Sequence, residues 1–290
     1  MENPMNGNEL ERVVVLGAGT MGSGIAQVAA ASGYEAVLYD IDDAAVARGL
    51  AGIQATLEKG VQKGKVSEDE RATTLSRIRC TTDLADGCAG AAVVIEAAPE
   101  SMNLKQRIFG DVAGIVDDRC LLATNTSSLA VSEIASVVPR PERFCGLHFF
   151  NPPPLMKLLE IVRAKQTTDE TIERARAFAL RLGKDPIVVK DAPGFASSRL
   201  GITLGLEAIR MVEEGVASAE DIDKAMTLGY RHPMGPLQLT DLVGLDVRLA
   251  IARYLAEKLD DRRFEPPALL VRMVEEGKLG KKSGQGFYTW

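Results

Sequence analysis

The first two thirds of the chain alternates short apolar runs with longer amphipathic stretches. Unbroken β-branched runs are typical of strands that are buried on both faces of a parallel sheet. The runs that predict strands span residues 12–16, 36–40, 91–98, 120–124, 144–148, 158–162 and 186–190. Apolar residues at helical spacing predict helices over residues 21–33, 42–65, 67–77 and 169–182. This order predicts an α/β fold with a mostly parallel sheet.

The pattern changes at Asp191-Ala192-Pro193-Gly194, where proline and glycine interrupt it. One predicted helical face then carries Leu200, Leu204, Ala208, Met211 and Val212. Further helices are predicted over residues 218–229, 237–242, 246–259 and 267–276. We therefore predict an α/β domain over residues 1–191 and an all-α domain over residues 192–290. About 100 residues of helix are few for a self-sufficient core, so this domain is expected to pack on the first domain, a second subunit, or both.

A glycine-rich motif connects the first predicted strand to the first helix, with the sequence Gly17-Ala18-Gly19-Thr20-Met21-Gly22. In this G-x-G-x-x-G pattern Gly17 allows a tight turn, Gly19 lets the backbone approach a pyrophosphate, and Gly22 lets the helix pack on the strand. The start of the helix supplies N–H donors to phosphate. Asp40 ends the second strand, where a carboxylate binds ribose hydroxyls and would repel a 2′-phosphate. The pattern predicts a Rossmann-type domain that binds NAD rather than NADP, with a tight turn that binds no ligand as the alternative.

One of the two histidines, His148, ends the apolar run of residues 144–147. The prolines at 152–154 predict an extended exit from this strand. Glu160 then places one carboxylate within the next apolar strand. A histidine at a strand end beside a carboxylate is suited to acid–base catalysis. From the residues alone, a structural histidine with a strand-edge glutamate is the favoured interpretation, and catalysis is the alternative.

Two further groups of polar residues have both a structural and a functional interpretation. The turn Asn125-Thr126-Ser127-Ser128 follows a strand at the sheet edge where parallel-sheet proteins bind ligands, but either of its serines would also serve as a helix cap. Lys59, Lys63 and Lys65 lie at the end of the long second helix. A solvated helix end is the favoured interpretation of these lysines, and a phosphate-binding patch for a large anionic ligand is the alternative.

Composition and charge narrow the class of protein. The 290 residues are 46% hydrophobic and 26% charged, as in soluble globular proteins, and the net charge of −6 argues against nucleic-acid and anionic-membrane partners. No apolar run reaches the ~18 residues of a membrane span, and the first eleven residues lack a signal-peptide pattern. The four cysteines show no C-x-x-C spacing, which favours free thiols over disulfides or a metal site. We expect a cytoplasmic protein.

Several motifs, taken in order, resemble those of one protein family. They are the glycine-rich motif, Asn125-Thr126-Ser127-Ser128-Leu129, His148-Phe149-Phe150-Asn151-Pro152, Asp191-Ala192-Pro193-Gly194-Phe195, Pro233-Met234-Gly235-Pro236 and Gly280-Lys281-Lys282-Ser283-Gly284-Gln285-Gly286-Phe287-Tyr288. From Arg12 to Tyr288 the chain resembles the short-chain L-3-hydroxyacyl-CoA dehydrogenases, and within them the bacterial 3-hydroxybutyryl-CoA dehydrogenases. The resemblance implies an NAD-dependent oxidoreductase that interconverts (S)-3-hydroxyacyl-CoA and 3-oxoacyl-CoA, with short substrates such as acetoacetyl-CoA.

The resemblance also implies roles for individual residues. His148 matches the general base, and Glu160 matches the carboxylate that orients it and stabilises the imidazolium. Ser127 matches a serine that hydrogen-bonds the substrate oxygen, and Asn151 matches an asparagine near the nicotinamide and the substrate. Beyond the glycine motif and the acid after the second strand, cofactor contacts are implied for Glu100, Lys105, Asn151 and Lys282.

Coenzyme A contacts are implied for Thr56 and Lys63, which reverses the solvated interpretation of Lys63. One position departs from the family pattern, because Ser198 stands where many relatives have asparagine. A serine donates and accepts a hydrogen bond over a shorter reach than an amide. Ser198 remains a candidate catalytic residue.

Two other functions fit parts of the pattern. A free-hydroxyacid dehydrogenase such as L-gulonate 3-dehydrogenase needs no coenzyme A pocket, and in that branch a proline tends to follow the catalytic histidine, where this chain has Phe149. A non-catalytic NAD-binding protein would not need the set of His148, Glu160 and Ser127. We therefore predict an acyl-CoA dehydrogenase that forms a homodimer through its helical domain.

Overall fold

The computed structural model describes residues 11–290, so the amino-terminal segment without a signal-peptide pattern falls almost entirely outside the described residues. The chain divides into two compact units, the first ending at Asp191 and the second beginning at Ala192. Across residues 11–290, no helix is long and apolar enough to cross a membrane.

The first unit alternates strands and helices. Its strands are β1 (Arg12–Leu16), β2 (Glu35–Tyr39), β3 (Ile78–Thr81), β4 (Ala91–Glu96), β5 (Leu121–Thr124), β6 (Phe144–Phe149), β7 (Leu158–Arg163) and β8 (Asp185–Lys190). Its helices are α1 (Thr20–Ala31), α2 (Asp43–Gln62), α3 (Glu68–Ser76), α4 (Leu84–Cys88), α5 (Met102–Ala113), α6 (Val131–Ile134) and α7 (Asp169–Arg181). Strand β3 is not predicted by the sequence pattern, because its four residues are all only partly buried.

The eight strands form one sheet in the order β3-β2-β1-β4-β5-β6-β7-β8. All neighbouring pairs are parallel except β6 and β7. This confirms the predicted α/β fold with a mostly parallel sheet. The strand order reverses beside β1, which has β2 on one side and β4 on the other. At such a point the connections diverge and leave a crevice at the carboxyl ends of the strands.

The three prolines after β6 do not form the extended exit that the sequence predicts. Residues 151–155 form turns, and the carbonyl oxygen of Pro152 accepts hydrogen bonds from the N–H groups of Leu155 and Met156. Proline lacks an N–H but keeps its carbonyl acceptor, so the segment can turn back on itself. Strand β7 then returns antiparallel to β6, and His148 lies directly opposite Glu160 in the register.

Helix α6 is capped by a residue that lies far away in the sequence. The N–H groups of Val131 and Ser132 donate to the carboxylate of Asp191, at 3.0 and 2.7 Å. The interpretation of Ser127 or Ser128 as a helix cap is therefore wrong. The acceptor lies 60 residues further along the chain than Val131, which no local pattern can indicate.

The second unit is helical, as predicted. Its helices are α8 (Ser197–Glu213), α9 (Ala219–Lys224), α10 (Pro236–Val243), α11 (Leu245–Leu259) and α12 (Ala268–Glu275). From α8, the core of this unit includes Ile202, Leu206 and Ile209. The predicted core face is wrong at Leu200, which is 71% exposed. Because α8 carries apolar residues on more than one side, helical spacing alone does not choose the face that packs.

Candidate active site

The glycine-rich motif forms an open cradle at the carboxyl end of β1. Gly17 has a φ of +108°, and a side chain there would lie 2.7 Å from the carbonyl oxygen of Ala97. A side chain at Gly22 would lie 1.7 Å from the carbonyl oxygen of Gly17, so only glycine lets α1 start this close to β1. A side chain at Gly19 would meet no protein atom within 4 Å, and no side chain caps the first turn of α1. The backbone at Gly19 therefore faces open space, as a phosphate-binding cradle requires.

Asp40 lies beside this cradle, just after β2. Its Oδ2 accepts a hydrogen bond from the N–H of Ala18 at 2.8 Å, and its Oδ1 accepts one from the N–H of Ile41. These bonds hold the carboxylate at the edge of a cleft of about 670 Å³, which Thr20 and Met21 also line. The uncapped start of α1 and this carboxylate fit the pyrophosphate and the ribose of a dinucleotide.

His148 and Glu160 form a buried pair across β6 and β7. Nδ1 of His148 lies 2.7 Å from Oε2 of Glu160, and the two side chains are 6% and 0% exposed. A carboxylate at Nδ1 stabilises the tautomer with its proton on that nitrogen and orients the ring. The imidazole also contacts the ring of Phe150, with 4.6 Å between the centroids. Since β7 lies between β6 and β8, the glutamate is not at a sheet edge, and the pair has the geometry of an oriented general base.

The turn that carries Ser127 is held by the carboxylate of Glu100. Oε1 of Glu100 accepts hydrogen bonds from the hydroxyl of Thr126 at 2.5 Å and from the N–H groups of Ser127 and Ser128 at 3.1 and 3.2 Å. Burial alone would raise the pKa of Glu100, but the charge of Lys105 and these hydrogen bonds lower that pKa below its ordinary value. Glu100 is therefore ionised at neutral pH, and it organises a turn in which Ser127 is exposed.

Lys105 is buried rather than presented to a ligand. Its side chain is 1% exposed, and its Nζ lies 2.6 Å from Oε1 of Glu96 and 3.4 Å from Oε2 of Glu100. Glu96 is wholly buried and also accepts hydrogen bonds from the Thr124 hydroxyl and the Ala98 N–H, both at 2.6 Å. An effect of Lys105 on a ligand would therefore act through the two carboxylates. The sequence analysis did not identify Glu96. A charged residue at the end of the apolar run of β4 could have indicated a buried functional carboxylate.

Asn125 connects the Ser127 turn to the strand that carries His148. Its Oδ1 accepts a hydrogen bond from the N–H of Phe149 at 2.8 Å. Its own N–H donates to the carbonyl oxygen of Glu96 at 2.7 Å. Asn125 therefore holds the ends of β4, β5 and β6 together. This brings Ser127 and His148 to the same edge of the sheet.

A second cleft of about 380 Å³ is lined by the first turns of α1, the middle of α2 and the turn after β6. Thr56 and Asn151 both line it, together with Pro152–Pro154. The Thr56 hydroxyl donates to the carbonyl oxygen of Gly52 in its own helix. Lys63 is exposed at the end of α2, seven residues after Thr56, which places it about 10 Å further along the same helical face. The structure thus brings Thr56 and Asn151 to one cleft and leaves Lys63 outside its lining.

The candidates Ser198 and Lys282 both belong to the second unit, whereas the other candidates belong to the first. Ser198 is half-buried in the first turn of α8. The Nζ of Lys282 lies 2.6 Å from the carboxylate of Asp246. Lys282 also packs against Gly244, where a side chain would lie 3.3 Å from Nζ.

All four cysteines are free thiols. Burial raises the pKa of Cys88 to about 11 and the pKa of Cys120 and of Cys145 to about 12, so these thiols stay protonated at neutral pH. Within residues 11–290, no group of three or more His, Cys, Asp or Glu side chains is arranged to hold a metal ion.

Comparison with known proteins identifies similar sequences and structures. Residues 12–192 match the profile of the 3-hydroxyacyl-CoA dehydrogenase NAD binding domain, and residues 194–290 match that of the 3-hydroxyacyl-CoA dehydrogenase C-terminal domain. A probable 3-hydroxybutyryl-CoA dehydrogenase of Deinococcus radiodurans is 46% identical over 95% of this chain and 99% of its own length.

Two crystal structures are also similar to this chain. FadB2 of M. tuberculosis has a TM-score of 0.93 at 44% identity and covers 98% of this chain and 100% of its own. The (S)-3-hydroxybutyryl-CoA dehydrogenase PaaH1 of Ralstonia eutropha has a TM-score of 0.93 at 42% identity and covers 97% of this chain and 99% of its own. These similarities extend over both units of the chain.

Proposed function

Because this chain belongs to the 3-hydroxyacyl-CoA dehydrogenase family, we propose that it interconverts (S)-3-hydroxyacyl-CoA and 3-oxoacyl-CoA with NAD as its cofactor. The names of its relatives favour the short substrates 3-hydroxybutyryl-CoA and acetoacetyl-CoA. The observation that carries the proposal is the buried pair of His148 and Glu160, since the oxidation of an alcohol needs an oriented base.

His148 would take the proton of the 3-hydroxyl group. Glu160 contacts Nδ1, so Nε2 is the ring nitrogen that would receive this proton. The buried carboxylate of Glu160 then stabilises the imidazolium that forms. NAD, when bound, supplies the acceptor for the hydride. In the reverse direction the imidazolium returns its proton to the oxygen of the 3-oxo group.

Other residues of the first unit would bind and orient the substrate. Ser127 would hydrogen-bond the reacting oxygen from the turn that Glu100 holds, and Asn151 would contact both cofactor and substrate. Thr56 would contact coenzyme A in the second cleft, and the ammonium of Lys63 would pair with a phosphate further along α2. Their separation of about 10 Å suits an extended ligand.

The position of Asp40 favours NAD over NADP, since its carboxylate would repel a 2′-phosphate at the edge of the first cleft. In the second unit, Lys282 would contact the cofactor and Ser198 the substrate. These two roles are carried by the resemblance alone.

We also propose that the protein is a cytoplasmic homodimer formed through the helical unit. Helices α8, α10 and α11 carry large apolar side chains that are at least 38% exposed. These are Leu200, Leu239, Leu242, Val243 and Val247. A second copy of the chain would remove such faces from water. Light scattering at micromolar concentration should give the mass of a dimer, and the mass of a monomer would refute the proposal.

The test of the proposed reaction is the consumption of NADH with acetoacetyl-CoA, followed by absorbance. The proposal requires turnover with acetoacetyl-CoA and NADH, at a higher kcat/KM than with NADPH. Faster oxidation of L-gulonate would instead indicate a free-hydroxyacid dehydrogenase. NADH binding without turnover of any acyl-CoA would indicate a non-catalytic protein.

A further inference from the structure

Lys184 is a buried ammonium group that the mechanism above does not use. It lies between α7 and β8, and only 6% of the residue is exposed. Its Nζ donates hydrogen bonds to the carbonyl oxygens of Pro153 and Met156, the latter at 2.8 Å. Burial lowers the pKa of Lys184, and no charged group of residues 11–290 offsets this effect.

A buried cation without a carboxylate partner is unusual, because removing a charge from water is costly unless hydrogen bonds compensate it. An apolar side chain at this position would avoid that cost. The compensation at Lys184 comes from two carbonyl oxygens of one short turn, residues 152–156. The ammonium therefore acts on the conformation of this turn.

The same turn packs tightly on α1. A side chain at Gly24 would lie 2.7 Å from Cδ and 2.8 Å from Cγ of Pro153. The proline ring cannot move away as the end of a flexible side chain could. Pro153 is thus held at its ring by α1 and at its carbonyl oxygen by Lys184.

The held turn forms one wall of the second cleft. Asn151 and Pro152–Pro154 line this cleft on one side, and Thr56 of α2 lines it on another. A displacement of the turn would change the width of the cleft. Gly19 and Thr20 line the same cleft, but their backbone is fixed by β1 and α1, so the turn can shift without moving the cradle itself.

We propose that Lys184 is a positioning residue for acyl-CoA binding. It fixes the proline wall of the second cleft, and with it the affinity for acyl-CoA, and takes no part in proton or hydride transfer. This inference rests on the proposed function, in which the second cleft takes the acyl-CoA. Loss of the ammonium should therefore raise KM for acyl-CoA while it changes kcat and the affinity for NADH little.

The test compares Lys184→Met with Lys157→Met in the full-length protein. Lys157 is an exposed lysine next to the same turn, so its substitution removes the same charge without removing the two hydrogen bonds. We expect Lys184→Met to raise KM for acetoacetyl-CoA about tenfold, with kcat and the Kd of NADH within about twofold of wild type. Lys157→Met should leave all three unchanged, and Lys184→Arg should restore part of the affinity.

A second variant keeps the inference testable if Lys184→Met does not fold. Gly24→Ala pushes on Pro153 with Lys184 intact and should raise the same KM. A fall in kcat at unchanged KM in both variants would overturn the inference, as would equal weakening of NADH and acyl-CoA.

The failure of this inference can be told apart from failure of the proposed function. If wild type turns over acetoacetyl-CoA and the variants share its KM, only the inference about Lys184 fails. If wild type shows no turnover, the proposed function fails. Calorimetric titration with coenzyme A then decides the inference, since equal binding by wild type and Lys184→Met overturns it and weaker binding by the variant supports it.

Discussion

The first unit pairs its wholly buried carboxylates with side chains that can carry positive charge, whereas the second unit surrounds its buried carboxylates with neutral donors, mainly backbone N–H groups. In the first unit Glu96 lies 2.6 Å from the Nζ of Lys105, and Glu160 lies 2.7 Å from Nδ1 of His148. Both pairs lie at the carboxyl edge of the sheet, close to the ends of β4 and β6.

In the second unit Asp241 is 1% exposed and accepts hydrogen bonds from the N–H groups of Phe287 and Tyr288, both at 2.9 Å. A side chain at Gly286 would lie 2.2 Å from Oδ1 of Asp241, so glycine is needed for this approach. Asp223 accepts hydrogen bonds from N–H groups at the start of α10 and also from the hydroxyl of Tyr288 at 2.7 Å. These carboxylates tie separate parts of the helical unit together.

Burial of a carboxylate therefore does not by itself mark a reactive site. A carboxylate surrounded by N–H and hydroxyl donors has no basic side chain as a partner, so it stabilises the fold. A carboxylate beside an imidazole or an ammonium changes the proton affinity of that partner. Four substitution or titration experiments test this contrast.

The largest effect is expected for His148→Gln. This variant should lose about 10²–10⁴-fold in kcat, because glutamine cannot accept the substrate proton. Its amide N–H can still donate to Glu160, so the midpoint of thermal unfolding should stay near that of wild type. Initial rates of NADH consumption with acetoacetyl-CoA measure the loss, and full activity in the variant would show that the base lies elsewhere.

A double-mutant cycle on Glu96 and Lys105 tests whether these residues act as a charge pair. Each of Glu96→Gln and Lys105→Met should reduce the free energy of unfolding by about 3–5 kcal/mol, because each removes the closest charged partner of a buried ion. The double variant should lose less than the sum, since both charges are removed together. Urea denaturation gives the three values, and strictly additive losses would show that the pair is not coupled.

Asp241→Asn is the matched substitution in the second unit. It should reduce the free energy of unfolding by about 1–3 kcal/mol, because an amide cannot accept from all the donors that surround the carboxylate. The kcat per folded molecule should stay at the wild-type value. Denaturation followed by the fluorescence of Trp290, the single tryptophan, together with initial rates, would check this. A collapse of kcat in fully folded protein would contradict the comparison.

The smallest effects are expected at the two ends of the pH scale. The pKa of Glu100 lies below its ordinary value of 4.5, so its contribution to stability is present above pH 4.5 and is lost as pH falls through the lower folded-state pKa. Burial and the carboxylate of Asp223 raise the pKa of Tyr288 above 10.0, so its contribution is present below pH 10 and is lost at higher pH.

The contribution of Glu100 should therefore be lost in acid, and that of Tyr288 in alkali. NADH binding would follow the first transition, and Trp290 fluorescence would follow the second. Glu100→Gln should reduce the loss of NADH binding in acid and leave the alkaline change in fluorescence, and Tyr288→Phe should do the reverse. A single transition common to both probes would show that the two units do not differ in this way.

Much of the fold can be predicted from the sequence, because the hydrophobic periodicity of a strand or a helix depends only on residues that are close together in the chain. The glycine motif and Asp40 were predicted together because their spacing follows from one strand–helix–strand unit. Local reasoning failed at Leu200, where a helix with apolar residues on several sides can pack through any of them. It also failed at the three prolines, because the restriction of φ does not reveal that the carbonyl oxygens of Pro152 and Pro153 accept hydrogen bonds.

The order of the residues is enough to predict the alternation of strands and helices, the place of the phosphate cradle, and the presence of a histidine and a glutamate on consecutive strands. The tertiary structure alone decided that these two side chains face each other, because the antiparallel register of β6 and β7 depends on the turn between them. It also decided that Asp191 caps α6 and that Lys184 holds a turn 31 residues earlier in the chain. Such contacts join residues far apart in sequence, and only the packed sheet brings them within hydrogen-bonding distance.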